Sequence, residues 1–159
     1  MDLNHLSFIE YIAKKNRPII ISTGLGSTHE ISVALETIKA TGNERIILLH
    51  CVALYPPLEH EVNLNNIDFL RKEFNVQVGY SDHTIGYGIT IASMAKGVSV
   101  IEKHFTLDKN MDGWDHAVSA TPDEFSIIVK ESQRVSDALG YSERRLSDRE
   151  EANKINFRR

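Results

Sequence analysis

Cysteine is almost missing from this sequence, and that excludes more than any other absence. Cys51 stands alone among 159 residues, so no internal disulfide can form and no thiolate-based zinc site can be built. A single thiol at a buried strand end reads as an inert core residue and fits a reducing cytoplasm. Long apolar runs are missing too: none approaches the ~18 residues of a membrane span. The first residues, Met1-Asp2-Leu3-Asn4-His5, lack a basic stretch followed by an apolar core, so no signal peptide is expected. Basic charge is scarce, with 18 Lys and Arg against 22 Asp and Glu and a net charge of −4. Apart from short Arg pairs near the C-terminus there is no basic stripe, which argues against nucleic acid and for a small molecule or another protein. No glycine-rich GxGxxG follows the first apolar run, which weakens a dinucleotide-binding reading.

What the sequence does contain is a regular alternation of short apolar runs and longer amphipathic ones. Leu6 to Lys15 predicts a helix with Leu6, Ile9, Ile12 and Ala13 on one face, broken by Asn16-Arg17-Pro18. Ile19-Ile20-Ile21 predicts a buried strand, and a helix with Ile31, Ala34, Leu35 and Ile38 as its stripe follows from about Thr28, which can cap it. Ile46 to Leu49 is a second strand, and a long polar loop runs through Pro56-Pro57. Asn65 to Phe74 reads as a helix, Val76 to Tyr80 as a strand, Gly88 to Lys96 as a helix and Val98 to Ile101 as a strand. Thr121-Pro122-Asp123-Glu124 carries a cap, an N1 proline and acids, and starts a helix that Gly140 ends. The charge-rich stretch after it reads as a linker or arm, which divides the chain at 1–140 and 141–159.

A helix followed by four βα units implies a parallel sheet covered by helices. Both an open doubly wound sheet and part of a barrel satisfy that pattern. A full (β/α)8 barrel takes ~250 residues, so four units make about half of one.

Polar residues gather just after each strand: Ser22-Thr23-Gly24, His50 to Tyr55, Ser81-Asp82-His83 and Glu102-Lys103-His104. In a parallel α/β fold those ends open on one face, where active sites are built. His83 and His104 lie on neighbouring strand ends, each beside an acid. Imidazoles with oxygen donors suit Mn, Fe, Co, Ni or Zn; the bland alternative is two satisfied histidines at strand termini. The loop Asn110 to His116 pairs Trp114 with Asp115, and its alternative reading is a flexible surface loop. His5, His29 and His60 are expected to face solvent.

Together, PIIISTG (18–24), LLHC (48–51) with Tyr55-Pro56, GYSDHT (79–84), IEKHFT (101–106) and Asp115-His116 resemble the sialic acid synthase family along essentially the whole chain. The resemblance implies the C-terminal half of a TIM (β/α)8 barrel. It also implies condensation of phosphoenolpyruvate with an N-acylated aminosugar such as N-acetylmannosamine or its 6-phosphate. His83 and His104 would bind a divalent metal, manganese with magnesium or cobalt as alternatives. Ser22 and Ser81 would contact the phosphoenolpyruvate phosphate, Tyr55 would help form the pocket, and Asp115 would bind sugar hydroxyls. Glu102, beside His104, would help orient the catalytic centre around that histidine.

Two residues depart from the family pattern. Ala53 stands where a small polar residue is usual, removing one substrate hydrogen bond, and Trp114 stands where many members have proline, which bears on sugar specificity. The family's first strands, with their phosphate-binding lysines and a glutamate, would lie before Met1, and its antifreeze-like domain after Arg159. The chain alone is therefore expected to be inactive. It is also expected to form a homodimer or to associate with a missing N-terminal half, through open sheet edges and an inner face including Ile20, Leu48 and Val100. A non-catalytic association module is the competing function.

Overall fold

The computed structural model describes residues 2–158. Twelve segments follow one another as α1 (Leu6–Ala13), β1 (Ile19–Ser22), α2 (Thr28–Lys39), β2 (Ile46–Cys51), α3 (Glu59–Val62), α4 (Asn66–Phe74), β3 (Gln77–Asp82), α5 (Gly88–Ser93) with a 3-10 turn (Met94–Lys96), β4 (Ile101–Lys103), α6 (Pro122–Leu139) and α7 (Asp148–Phe157). The four strands form one parallel sheet in sequence order. The architecture is a parallel four-stranded half-barrel, as the family resemblance implies; the alternation of elements alone fits an open doubly wound sheet as well.

Local chemistry accounts for the helix boundaries. Ser27, and not Thr28, caps α2: its hydroxyl accepts from Glu30 N while the Glu30 carboxylate accepts from Ser27 N, a reciprocal capping box. Thr121 and Glu124 make the same box at α6, with Pro122 at the first helical position. Asn75 ends α4 in the left-handed conformation that Asn tolerates better than most residues.

Register tells the two sides of the sheet apart. Residues paired in parallel share a face, and faces alternate along each strand. Ile21, Leu48 and Val78 pair in one row, with His50 and Tyr80 in the next row on that face. This side meets the helices: Leu48, Val78 and Tyr80 join Ile38, Ile67 and Leu70 in the main core. Ile20, Ile47 and Gln77 form a row on the other face, and Ile20 is 53% exposed. Leu48, expected on the uncovered inner face, is instead fully buried against the helices, because it is one residue out of phase with Ile47. Val100 is partly covered. Gly79 shows how tight the sheet is, since a Cβ there would stand 2.5 Å from the Val100 carbonyl oxygen.

Two strands end later than apolarity predicts. β3 reaches Asp82 instead of Tyr80, and β4 occupies 101–103 instead of 98–101, although Ser99 N and Tyr80 N still donate across the pair to Val78 O and Val100 O. Ser81, Asp82 and Lys103 are polar but buried with partners, so hydropathy hides them from a sequence reading. Glu59–Val62 forms a turn of helix inside the expected polar loop because Val62 buries itself. The charged tail contains α7, capped by a Ser147–Glu150 box and without a buried residue. Met1 and Arg159, the outer limits of the two expected segments, lie outside the described residues. No helix among the described residues is long and apolar enough to cross a membrane.

Candidate active site at the strand ends

The loops after β2, β3 and β4 bring four of the expected residues into one aromatic and acidic cluster. Tyr55, after β2, stacks on His83 with ring centroids 4.1 Å apart. His83 follows β3 directly and meets the His104 ring edge-on at 5.2 Å. Tyr55 also meets His104 edge-on at 5.6 Å. Asp115, from the loop after β4, sets its Oδ2 3.4 Å from His104 Nδ1.

Below them, Ser81 and Glu102 pair across β3 and β4, and the Ser81 hydroxyl donates to Glu102 Oε1 at 2.7 Å. Each sits two residues before a histidine, so it shares the face of the sheet that the histidine extends. Ser22 closes β1 two strands away, and its hydroxyl oxygen accepts from Gly24 N at 3.5 Å. The structure therefore unites Tyr55, His83, His104 and Asp115, places Ser81 and Glu102 beneath them, and leaves Ser22 at the far side of the sheet.

The His83 ring is held in one orientation. Nδ1 lies 2.8 Å from the Val52 carbonyl oxygen, which can only accept, so Nδ1 carries the proton and Nε2 keeps its lone pair. Burial lowers the His83 pKa below its ordinary value. Tyr55 moves the other way: burial first, then Cys51, Asp115 and Glu102, raise its phenol. Among the described residues no three His, Cys, Asp or Glu side chains are gathered as a complete metal cage. The donor set nonetheless fits an ion shared by two imidazoles. Metal-bound histidines commonly give their second nitrogen to a carbonyl or carboxylate, as His83 does to Val52 and as Asp115 is placed to accept from His104.

Other polar strand-end residues turn out to be structural. His50 is buried on the helix side, its Nε2 2.7 Å from the Val62 carbonyl oxygen, stacked on Tyr80. His116 pins its loop through Thr106 Oγ1 at 2.7 Å. Sequence reasoning missed the roles of Asp82 and Lys103, which pair at 2.9 Å with side chains 0% and 1% exposed. The signal was present as an acid before one histidine and a lysine before the other.

A parallel half-barrel with its polar residues gathered at the C-terminal strand ends defines one half of a (β/α)8-type barrel. Residues 1–144 match the NeuB family, and the chain belongs to it. It is 47% identical over 143 residues to an uncharacterized protein of Methanocaldococcus jannaschii, covering 90% of this chain and 42% of that one. It is 42% identical to the N,N'-diacetyllegionaminic acid synthase of Campylobacter jejuni, covering 96% and 46%. The crystal structure of the N-acetylneuraminic acid synthetase of Leptospira borgpetersenii, in complex with citrate, superposes with a TM-score of 0.89 at 33% identity, covering 99% of this chain and 56% of that one. The chain thus spans less than half the length of the Methanocaldococcus and Campylobacter relatives and just over half of the Leptospira chain.

Proposed function

We propose that this chain supplies one half of the active site of a synthase that condenses phosphoenolpyruvate with an N-acylated aminosugar to give a nonulosonic acid. The observation that carries the reading is the cluster of Tyr55, His83, His104 and Asp115 on adjacent strand ends, above the Ser81–Glu102 pair. In the reaction, C3 of the enol forms a bond to the open-chain aldehyde carbon of the sugar. Water then adds at C2 and phosphate leaves by C–O cleavage. His83 and His104 would hold a divalent ion, manganese in the first instance, which as a Lewis acid polarises the aldehyde.

The chain's own groups bind and orient. Ser22 offers its hydroxyl to the phosphate, and Ser81 would do so by turning its one proton from Glu102 to the phosphate. Tyr55 walls the pocket, Asp115 accepts from sugar hydroxyls, and Glu102 orients the centre around His104. Relatives named for legionaminic and neuraminic acids both support an acylated aminosugar as the acceptor. Cys51, the lone thiol, fits a cytoplasmic setting for this chemistry.

Catalysis needs cationic groups for the phosphoenolpyruvate phosphate, and the described cluster offers none at its mouth. In this reading those cationic groups would come from another part of an assembly. An apolar groove of about 370 Å³ along the free side of β1, lined by residues including Phe8, Ile9, Ile12, Ile19 and Ile20, suits further strands there, from a second copy or a separate N-terminal half. An association module without chemistry has no use for the His83–His104 cluster.

The test is a chimera in which residues 2–140 replace the matching part of the Campylobacter jejuni synthase. It should release phosphate from phosphoenolpyruvate in the presence of the aminosugar. His104→Ala should cut that release at least 100-fold, in line with losses on removing a main electrostatic group. A folded chimera whose turnover is untouched by His104→Ala refutes the reading. The chain alone should give no turnover.

A further inference from the structure

Two buried charges that the proposed reaction does not use sit immediately before the two histidines that it does. Lys103 Nζ donates to Asp82 Oδ2 at 2.9 Å and to the Thr84 carbonyl oxygen at 2.7 Å. Asp82 Oδ1 accepts from the Tyr80 hydroxyl and from Thr84 N, each at 2.9 Å, and the Thr90 hydroxyl of α5 donates to Oδ2. The carboxylate thus accepts four hydrogen bonds. Asp82 and Thr84 are the two chain neighbours of His83, and both are gripped by Lys103, the neighbour of His104. The clasp joins the ends of β3 and β4, the turn between β3 and α5, and α5 itself.

Buried ion pairs are poor stabilisers, because removing both charges from water cancels most of their attraction, and a well-packed apolar pair often serves as well. What such a clasp does supply is a fixed distance. Side chains alternate faces at a strand end, so Asp82 and Lys103 point into the helix layer while His83 and His104 turn to the opposite face. A displacement of either charge carries the adjacent ring with it. We infer that Asp82 and Lys103 are positioning residues that set the His83 and His104 rings at their mutual spacing and hold His83 Nδ1 on the Val52 carbonyl. The inference rests on reading the two histidines as a metal pair.

The test uses the whole chain and manganese alone. In the double variant Asp82→Asn/Lys103→Met, the amide still accepts from Tyr80 and Thr84 N and can donate to Thr90, and Met fills the lysine's aliphatic volume. The bond across the strands is lost without leaving a buried unpaired charge. This variant should fold with a cooperative melt, yet bind manganese about tenfold or more weakly by electron paramagnetic resonance, the scale for groups that orient metal ligands. Without metal, nitrogen-15 spectra of the His83 imidazole should show a single Nδ1–H tautomer in the wild type and a mixture in the variant. A folded variant with wild-type affinity and an unchanged tautomer overturns the inference. A variant that cannot fold overturns it as well, since the pair would then serve the fold itself. His83→Ala and His104→Ala separate the two ideas. If they leave manganese binding unchanged, the metal reading fails and the tautomer spectra alone decide the positioning role.

Discussion

The helix-facing side of the β3–β4 strand ends and the mouth above them contain the same kinds of residue under opposite rules. On the helix side, Asp82 and Lys103 are sealed from water and bonded to each other and to their neighbours. Burial alone would raise the Asp82 pKa, but the bonds from Thr90, Lys103 and Thr84 outweigh it and hold the carboxyl below its ordinary value. At the mouth, His104 and Asp115 have side chains 32% and 56% exposed and meet across a long 3.4 Å contact. One layer is built to stay in place and the other to meet a ligand. The comparison teaches that a charged residue's neighbours, and not its type, decide whether it belongs to scaffold or to chemistry.

The largest effect that would break this comparison is on the buried side. Lys103→Met alone leaves Asp82 as an uncompensated charge and should cost about 3–5 kcal/mol, read from urea denaturation. A loss below about 1 kcal/mol would mean that water reaches the pair. Next comes the contrast between the two faces of the sheet. Leu48→Ala, on the helix side, should cost about 2–5 kcal/mol. Ile20→Ala, on the open face, should cost under about 1 kcal/mol in the isolated chain, because much of its surface is already in water. Equal losses would show the inner face covered in solution, and sedimentation at micromolar concentration would then identify the association.

At the mouth, His83→Ala and His104→Ala should each weaken manganese binding by about tenfold or more, about 1.4 kcal/mol. The urea midpoint should stay nearly unchanged for His104, whose side chain is 32% exposed, and fall for His83, which is buried and bonded to the Val52 carbonyl. A drop in stability with no change in metal binding would move these rings from chemistry to scaffold.

The smallest effect is a pH slope. Burial lowers the His50 pKa below its ordinary 6.5, so the folded chain keeps this ring neutral where the unfolded chain protonates it. Its contribution is fully present above pH ~6.5 and is lost as pH falls toward the lower folded value. His83 shifts in the same direction, so the quantity to measure is the difference between wild type and His50→Gln. That difference should shrink between pH 7.5 and 5.5 by no more than about 1.4 kcal/mol per pH unit. A difference that is constant with pH would mean that His50 is not desolvated.

By itself the sequence determined the alternation of the four strands with their main helices, the parallel sheet and the loops that carry the site, while α3 and α7 read as loop and tail. Apolar runs of strand length between amphipathic stretches admit few other arrangements, and the polar residues at each run's end must then open on one face. Helix starts were legible because capping is local: Thr121 and Glu124 are three residues apart in any context, and at α2 the error was a single residue, Thr28 for Ser27. Tertiary structure alone decided the rest. Leu48 and Ile47 are equally apolar, and only the register sends one into the core and the other to the open face. Asp82 and Lys103 look like surface residues until strand pairing brings them together 21 positions apart, where each satisfies the other's buried charge. His50, His83 and His104 share one composition and one strand-end address. A turn of helix at Val62 makes the first structural, and a tyrosine stack and an aspartate from the loop after β4 make the other two a site. These distinctions depend on contacts between residues remote in the chain, and such contacts leave no periodicity for a sequence to display.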